Sequence, residues 1–343
     1  MPVPAGTGRP VVVGYRGAVL SGVSLAVPTD LDADVLRTLA HLAEEHRLAG
    51  LWLFAPHRGA PDAVTMAAAT ARWTESAAIG VVVDVAGGQA PAVVAKEIST
   101  LDRLSGGRAV LVVRHGPAGV GMGLLRAVTA IADYVAVCQA VLRRAEPAAP
   151  LAAGLATGRP LGQPPDRSGA VDRRPGGGQR WSQAVASDAP NLPPPLQVPG
   201  PPVVMAVGGR RTVLELAASY DAAVVSRTSA PALRRTRAIA AAANAQAAVG
   251  CPTLLSCQPW PSSGTLDRLV ATLTELLSGP ADGVVVALGP AAGDAASYGA
   301  PTAGQPTSGA PGAPTEQLVP VDLLSAVERL AAATTHLRPS SRH

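Results

Sequence analysis

Eight short runs rich in Val and Leu, each followed by a longer stretch of Ala, Leu and Arg, set the tightest limit on how this chain folds. The runs fall near residues 23–27, 51–54, 77–83, 109–114, 202–207, 221–225, 252–257 and 283–288. Near-continuous apolar runs of this length read as parallel strands buried on both faces. The intervening stretches carry apolar residues at helical spacing, as crossover helices require. Eight strand–helix units point to an α/β fold closed as a single (β/α)8 TIM barrel, in preference to an open doubly wound sheet.

The helices are expected near 32–48, 61–72, 90–104, 120–143, 210–218, 230–249, 264–278 and 320–335. Asp30 or Asp32 can cap the first, because a carboxylate there accepts from free backbone N–H groups at the positive helix end. Pro91 suits the first turn of the third, and Ser263 or Thr265 can cap the seventh. Of the 343 residues 48% are hydrophobic but only 3% aromatic, so the core must be packed from small and β-branched side chains.

Two stretches break the rhythm. Residues 145–200 and 289–318 are rich in Pro, Gly, Ala and Ser, with too few large apolar groups to offset the cost of chain ordering. The expected organisation is a flexible segment over 1–20 and one barrel domain over 21–343, interrupted by these two insertions. Both are expected to be disordered or loosely draped, with Trp181 either anchoring the first to the barrel mouth or standing partly exposed. The second follows strand eight directly, so it leaves from the face where barrel enzymes place their active sites.

Composition also excludes function classes. The net charge of +4 comes almost wholly from scattered arginines, Lys96 being the single lysine, so no basic stripe marks a nucleic-acid partner. Cys138, Cys251 and Cys257 are an odd set without a CxxC pair, which argues against a disulfide framework or structural zinc and for a reducing cytoplasm. No signal-peptide pattern and no uncharged apolar run of about 18 residues stands out, so neither export nor a membrane is expected. The histidines and acids show no metal-ligand spacing.

The polar residues closest to the strand ends are the candidates for chemistry. His57 follows strand two, where it can act as acid or base near neutral pH or simply be solvated. Asp84 ends strand three and can face a ligand or pair with Arg114. Arg114 and His115, at the end of strand four, can hold an anionic group or form a polar rim. Gly208 and Gly209 precede a helix opening with Arg210, and their backbone N–H groups, the helix dipole and the guanidinium suit a phosphate. An ordinary tight turn with solvated arginines is the alternative there.

The stretch AAIGVVVDVAGGQAPAVVAKEISTLDRLSGGRAVLVV, residues 77–113, resembles the signature region of the luciferase-like monooxygenase family. The resemblance rests on Pro91, Ala95 and Lys96, then Leu101, Asp102, Leu104, Ser105, Gly106, Gly107 and Arg108. The flanking LAEEHRLAGLWLF and APDAVTMAAATAR, and farther on PPLQVPGPPVVMAVGGRRTVLELAASYDAAVVS, are similar to neighbouring parts of the family. The LDRLSGGR segment itself reads physically as a helix C-terminus closed by Gly106 and Gly107, a structural role.

This resemblance implies a barrel that binds FMN or the deazaflavin coenzyme F-420 and performs monooxygenation or hydride transfer on a small organic substrate, as a homodimer. It implies His57, Asp84 and His115 as catalytic positions and Arg114, Gly116, Gly208, Gly209 and Arg210 as cofactor-binding ones. The chain departs from the family pattern at Ala55 or Pro56, where an acid would stand, and at VLVVRHG, which keeps only Gly116. The rival reading is therefore a catalytically silent barrel that binds flavin or pairs with an active homologue as a heterodimer.

Overall fold

A computed structural model describes residues 20–57, 59–114, 124–143, 193–206, 223–226, 229–247, 253–260, 266–279, 281–288 and 320–336. Eight parallel strands close into a barrel in sequence order: β1 (Gly22–Pro28), β2 (Gly50–Phe54), β3 (Ala78–Asp84), β4 (Ala109–Arg114), β5 (Val203–Ala206), β6 (Ala223–Ser226), β7 (Leu254–Pro259) and β8 (Gly283–Ala287). The last strand pairs back on the first, Gly22 opposite Gly283 and Ala26 opposite Ala287. All eight expected strands are present.

Among the described residues the helices are α1 (Ala33–Glu45), α2 (Ala63–Arg72), α3 (Pro91–Leu104), α4 (Leu124–Leu142), α5 (Ala230–Ala247), α6 (Leu266–Leu277) and α7 (Pro320–Thr334). Asp32, not Asp30, caps α1 by accepting from the Asp34 N–H at 2.8 Å, and Pro91 opens α3. The expected helix at 210–218 and the caps Ser263 and Thr265 lie outside the described residues.

Strand parity divides the core in two. Leu25, Leu51, Leu53, Ile79, Val81, Leu111 and Met205 face the helices, where α1 supplies Leu36, Leu39 and Ala40 and α6 supplies Leu269, Leu273 and Leu276. Each such fully buried large side chain contributes about 2 kcal/mol. The alternate residues fill the barrel: Ala26, Trp52, Phe54, Ala78, Val110, Val112, Val204, Ala206, Leu255, Val285 and Ala287. Trp52 is the bulkiest of these and depends on Gly80, because a Cβ there would stand 2.7 Å from its Cδ1.

The LDRLSGGR segment staples the end of the barrel opposite the strand C-termini. Gly106 and Gly107 take φ of 72° and 89°, closing α3 as the sequence predicts. Arg108 does more than precede β4. Its guanidinium donates to the Ala71, Thr74, Ala77 and Ser105 carbonyls and to the Thr74 hydroxyl at 2.6–3.1 Å, tying the end of α2 to β3. Burial lowers its pKa, while Glu44 and Glu75 act in the opposite direction.

Asp102 is fully buried and accepts from the Leu196 N–H (2.6 Å), the Gln197 N–H (2.9 Å) and the Gln197 side-chain amide (2.6 Å). Residues 193–200, the C-terminal end of the stretch expected to be loosely draped, are held to the barrel through Leu196 and Gln197, which fill the acceptor sites of this buried carboxylate. The rest of that insertion, with Trp181, and residues 289–319 lie outside the described residues. Leu20, the last residue of the segment expected to be flexible, is 4% exposed and packs inside the barrel; residues 1–19 lie outside the described residues.

Glu44 joins α1 to the start of β3. Its carboxylate accepts from the Glu75, Ser76 and Ala77 N–H groups at 2.8–2.9 Å and from the Ser76 hydroxyl at 2.7 Å. Burial pushes its pKa up, but these hydrogen bonds outweigh burial and hold it below the ordinary carboxylate value.

Two outcomes follow from these ties. Asp102→Ala orphans two backbone donors and an amide, and should cost about 3 kcal/mol in urea unfolding, with Asp102→Asn costing less. Glu44 has a folded pKa below its unfolded one, so its contribution is complete above the unfolded value near 4.5 and disappears as pH falls through the folded value. Glu44→Gln should thus lower stability at pH 7, with the difference from wild type shrinking as the pH falls below about 4.5, as urea unfolding across that range would show.

Candidate active site at the barrel mouth

Parallel pairing gives paired residues the same facing, so the inward positions at the strand C-termini follow from the register. Phe54 pairs with Val82, Val82 with Val112 and Val112 with Val204. On the far side Cys257 pairs with Val285. Phe54, Val112, Ala206 and Ala287 are buried, whereas Val82 on β3 and Cys257 on β7 are partly open. The mouth thus has an apolar floor that is partly exposed at Val82 and Cys257, on two strands that face each other across the barrel.

One charged pair stands on this floor. Asp84 and Arg114 occupy matching register positions at the ends of β3 and β4. The guanidinium grips the carboxylate at two points, Nε to Oδ1 and Nη2 to Oδ2, the second at 3.1 Å. Its plane lies over the Phe54 ring, 5.7 Å from the centroid, so the cation also interacts with the negative ring face. The Arg114 side chain is 11% exposed and that of Asp84 26%.

At the rim, His57 stands in the β2–α2 loop with Nε2 3.6 Å from Asp30 Oδ2. Its Nδ1 accepts from the Gly59 N–H at 3.2 Å, which assigns the proton of the neutral ring to Nε2, on the Asp30 side. The two loops are clamped together by Thr29, fully buried, whose N–H donates to the Phe54 carbonyl (3.0 Å) and whose hydroxyl donates to the Pro61 carbonyl (2.8 Å).

The structure therefore brings Asp84 and Arg114 together and sets His57 beside Asp30 at the same end of the barrel. His115, Gly116, Gly208, Gly209 and Arg210 lie outside the described residues. Sequence reasoning missed Asp30, which was given a capping role that Asp32 performs. It also missed Phe54, Val82 and Cys257 as floor residues, although the alternation in LWLF places Trp52 and Phe54 on one face. Among the described residues no group of three or more His, Cys, Asp or Glu could hold a metal ion, and no helix is long and apolar enough to cross a membrane.

Comparison with known proteins agrees with this architecture. The sequence profile described as luciferase-like monooxygenase matches residues 18–259. The monooxygenase RslO1 from Streptomyces bottropensis superposes with a TM-score of 0.51 at 15% identity, over 81% of this chain and 96% of that one. Apo-MsnO8 superposes with a TM-score of 0.51 at 14% identity, over 93% of this chain and all of that one. At such identities the likeness establishes the fold alone. No curated protein matches the sequence. The profile match spans more than half of the chain, from before β1 to the end of β7, and the protein belongs to the luciferase-like monooxygenase family.

Proposed function

We propose that the protein is a flavin- or deazaflavin-dependent oxidoreductase of the monooxygenase type, acting on a small organic substrate at the C-terminal mouth of the barrel. The observation that carries this reading is the apolar floor with the Asp84–Arg114 pair at its edge. A flat heteroaromatic ring needs an apolar shelf and a few polar groups at its rim. Phe54, Val82, Val112, Ala206 and Ala287 fit the shelf, and the donors of Arg114 and acceptors of Asp84 fit the rim. The residues present thus suit the ring of FMN or coenzyme F-420.

The redox chemistry itself, electron-pair transfer at the ring, would be supplied by the bound cofactor. The floor residues exclude water from beneath a ligand, which strengthens every polar contact above them. Asp84, Arg114 and His115 surround the ring or substrate, with Gly116 giving close access after β4. Gly208, Gly209 and Arg210 receive phosphate, on the strength of their place between an apolar strand and a helix start. His57 holds a proton at Nε2, with the Asp30 carboxylate 3.6 Å away, so the pair can serve proton transfer at the rim. The reading includes a cytoplasmic homodimer, which the family resemblance and the odd cysteine count without a CxxC pair support.

Titration with FMN and with F-420, followed by ligand fluorescence and unfolding temperature, tests the proposal. Saturable binding of one of them should stabilise the fold by roughly 2.7 kcal/mol at a hundredfold excess over Kd. Arg210→Ala should weaken it about tenfold, the loss of one charge-assisted contact. In a Cys251→Ser background, bound ligand should also slow alkylation of Cys257 in the floor. Failure of both ligands at high micromolar concentration would sink this reading in favour of the silent barrel.

A further inference from the structure

We infer that the β3–β4 corner of the mouth is a subsite for an uncharged hydrogen-bonding group, such as a hydroxyl, an amide or a ring N–H, and that Asp84 makes it refuse carboxylates and phosphates. An arginine at the end of a barrel strand would by itself invite an anion. Here the Nε and Nη2 edge of Arg114 is occupied by Asp84, which cancels the charge within the protein. Phe54 under the guanidinium adds a second hold on its plane.

Exposure decides which partner a ligand meets. The Asp84 side chain is more than twice as open as that of Arg114, 26% against 11%. An approaching anion therefore encounters carboxylate oxygens before guanidinium hydrogens, and is repelled. An uncharged donor meets an acceptor that the guanidinium already holds in place. The apolar neighbours Phe54, Val82 and Val112 lower the local dielectric, which sharpens this discrimination. Asp84 is accordingly a specificity-determining residue: a carboxylate held on both oxygens by a guanidinium is a poor general base.

The inference rests on the mouth being the ligand site, and it names the class of group presented there. The test uses benzamide and benzoate, a planar pair of nearly equal shape that differ in charge, on the full chain with and without bound FMN or F-420. Binding is followed by unfolding temperature and by equilibrium dialysis of the isotope-labelled probes. The wild-type protein should bind benzamide more tightly. Asp84→Asn removes the negative charge that offsets the guanidinium and should raise the benzoate-to-benzamide affinity ratio about tenfold, an increase that salt reduces. Arg114→Gln leaves the carboxylate alone and should lower the same ratio.

Opposite shifts in the two variants are a signature that general loosening of the mouth cannot produce, since loosening would weaken both probes alike. Equal binding of the two probes by the wild type, detection of benzamide by neither method, or shifts of the same sign in both variants would overturn the inference. The flavin reading is judged separately, by whether the wild-type chain binds FMN or F-420 at all. If it binds either while the probe ratio stays fixed, only the subsite assignment fails.

Discussion

The pairing of β8 with β1 is the constraint on which the rest of the molecule depends. It is possible because Gly283 lacks a side chain: a Cβ there would lie 2.1 Å from the Leu20 carbonyl oxygen and 3.2 Å from that of Gly22. With that approach allowed, every strand has two partners and no strand edge is left unpaired. Closure also fixes which residues face inward around the whole ring, because a one-residue slip at any pair would turn a strand inside out. The meeting of Asp84 with Arg114 and the position of both above Phe54 follow from this shared register.

The two ends of the barrel divide the physical tasks. At the end where the strands begin, polar side chains tie one element to the next: Asp102 binds the chain returning to β5, Arg108 ties α2 to β3, and Glu44 gathers three backbone donors. Such groups hold geometry, and removing one partner leaves the other unsatisfied. At the mouth, the polar pairs stand over an apolar floor, the Asp84–Arg114 pair largely buried and the His57–Asp30 pair open. The motif that marks the family lies at the first end, so it certifies the scaffold and leaves the chemistry to residues that belong to no comparable signature.

That division explains what was legible in the sequence. Strand runs such as VVV and VLVV are fixed by burial on both faces, so their positions follow from composition and length alone. Glycines at the close of α3 are equally legible, since φ values of 72° and 89° suit few other residues. The site was less so. Asp84 and Arg114 are 30 residues apart in sequence, and their contact depends on the relative register of two strands, which neither strand encodes by itself. Asp30 was obscured by a local competitor: two aspartates stand before α1, and only the backbone geometry at Asp32 shows which one accepts from the helix.

The same register argument bears on the departures from the family pattern. Ala55 and Pro56 leave no acid in the segment directly after β2, yet β1 runs beside β2 and its loop emerges at the same rim. Thr29, bonded to the Phe54 and Pro61 carbonyls, fixes the relative position of the two loops, and Asp30 then faces His57 across them. In a closed barrel a function at the mouth is defined by a position in space that adjacent loops can fill. The loss of an acid from one loop is therefore weak evidence for a silent site when the neighbouring loop carries a carboxylate to within 3.6 Å of the same imidazole.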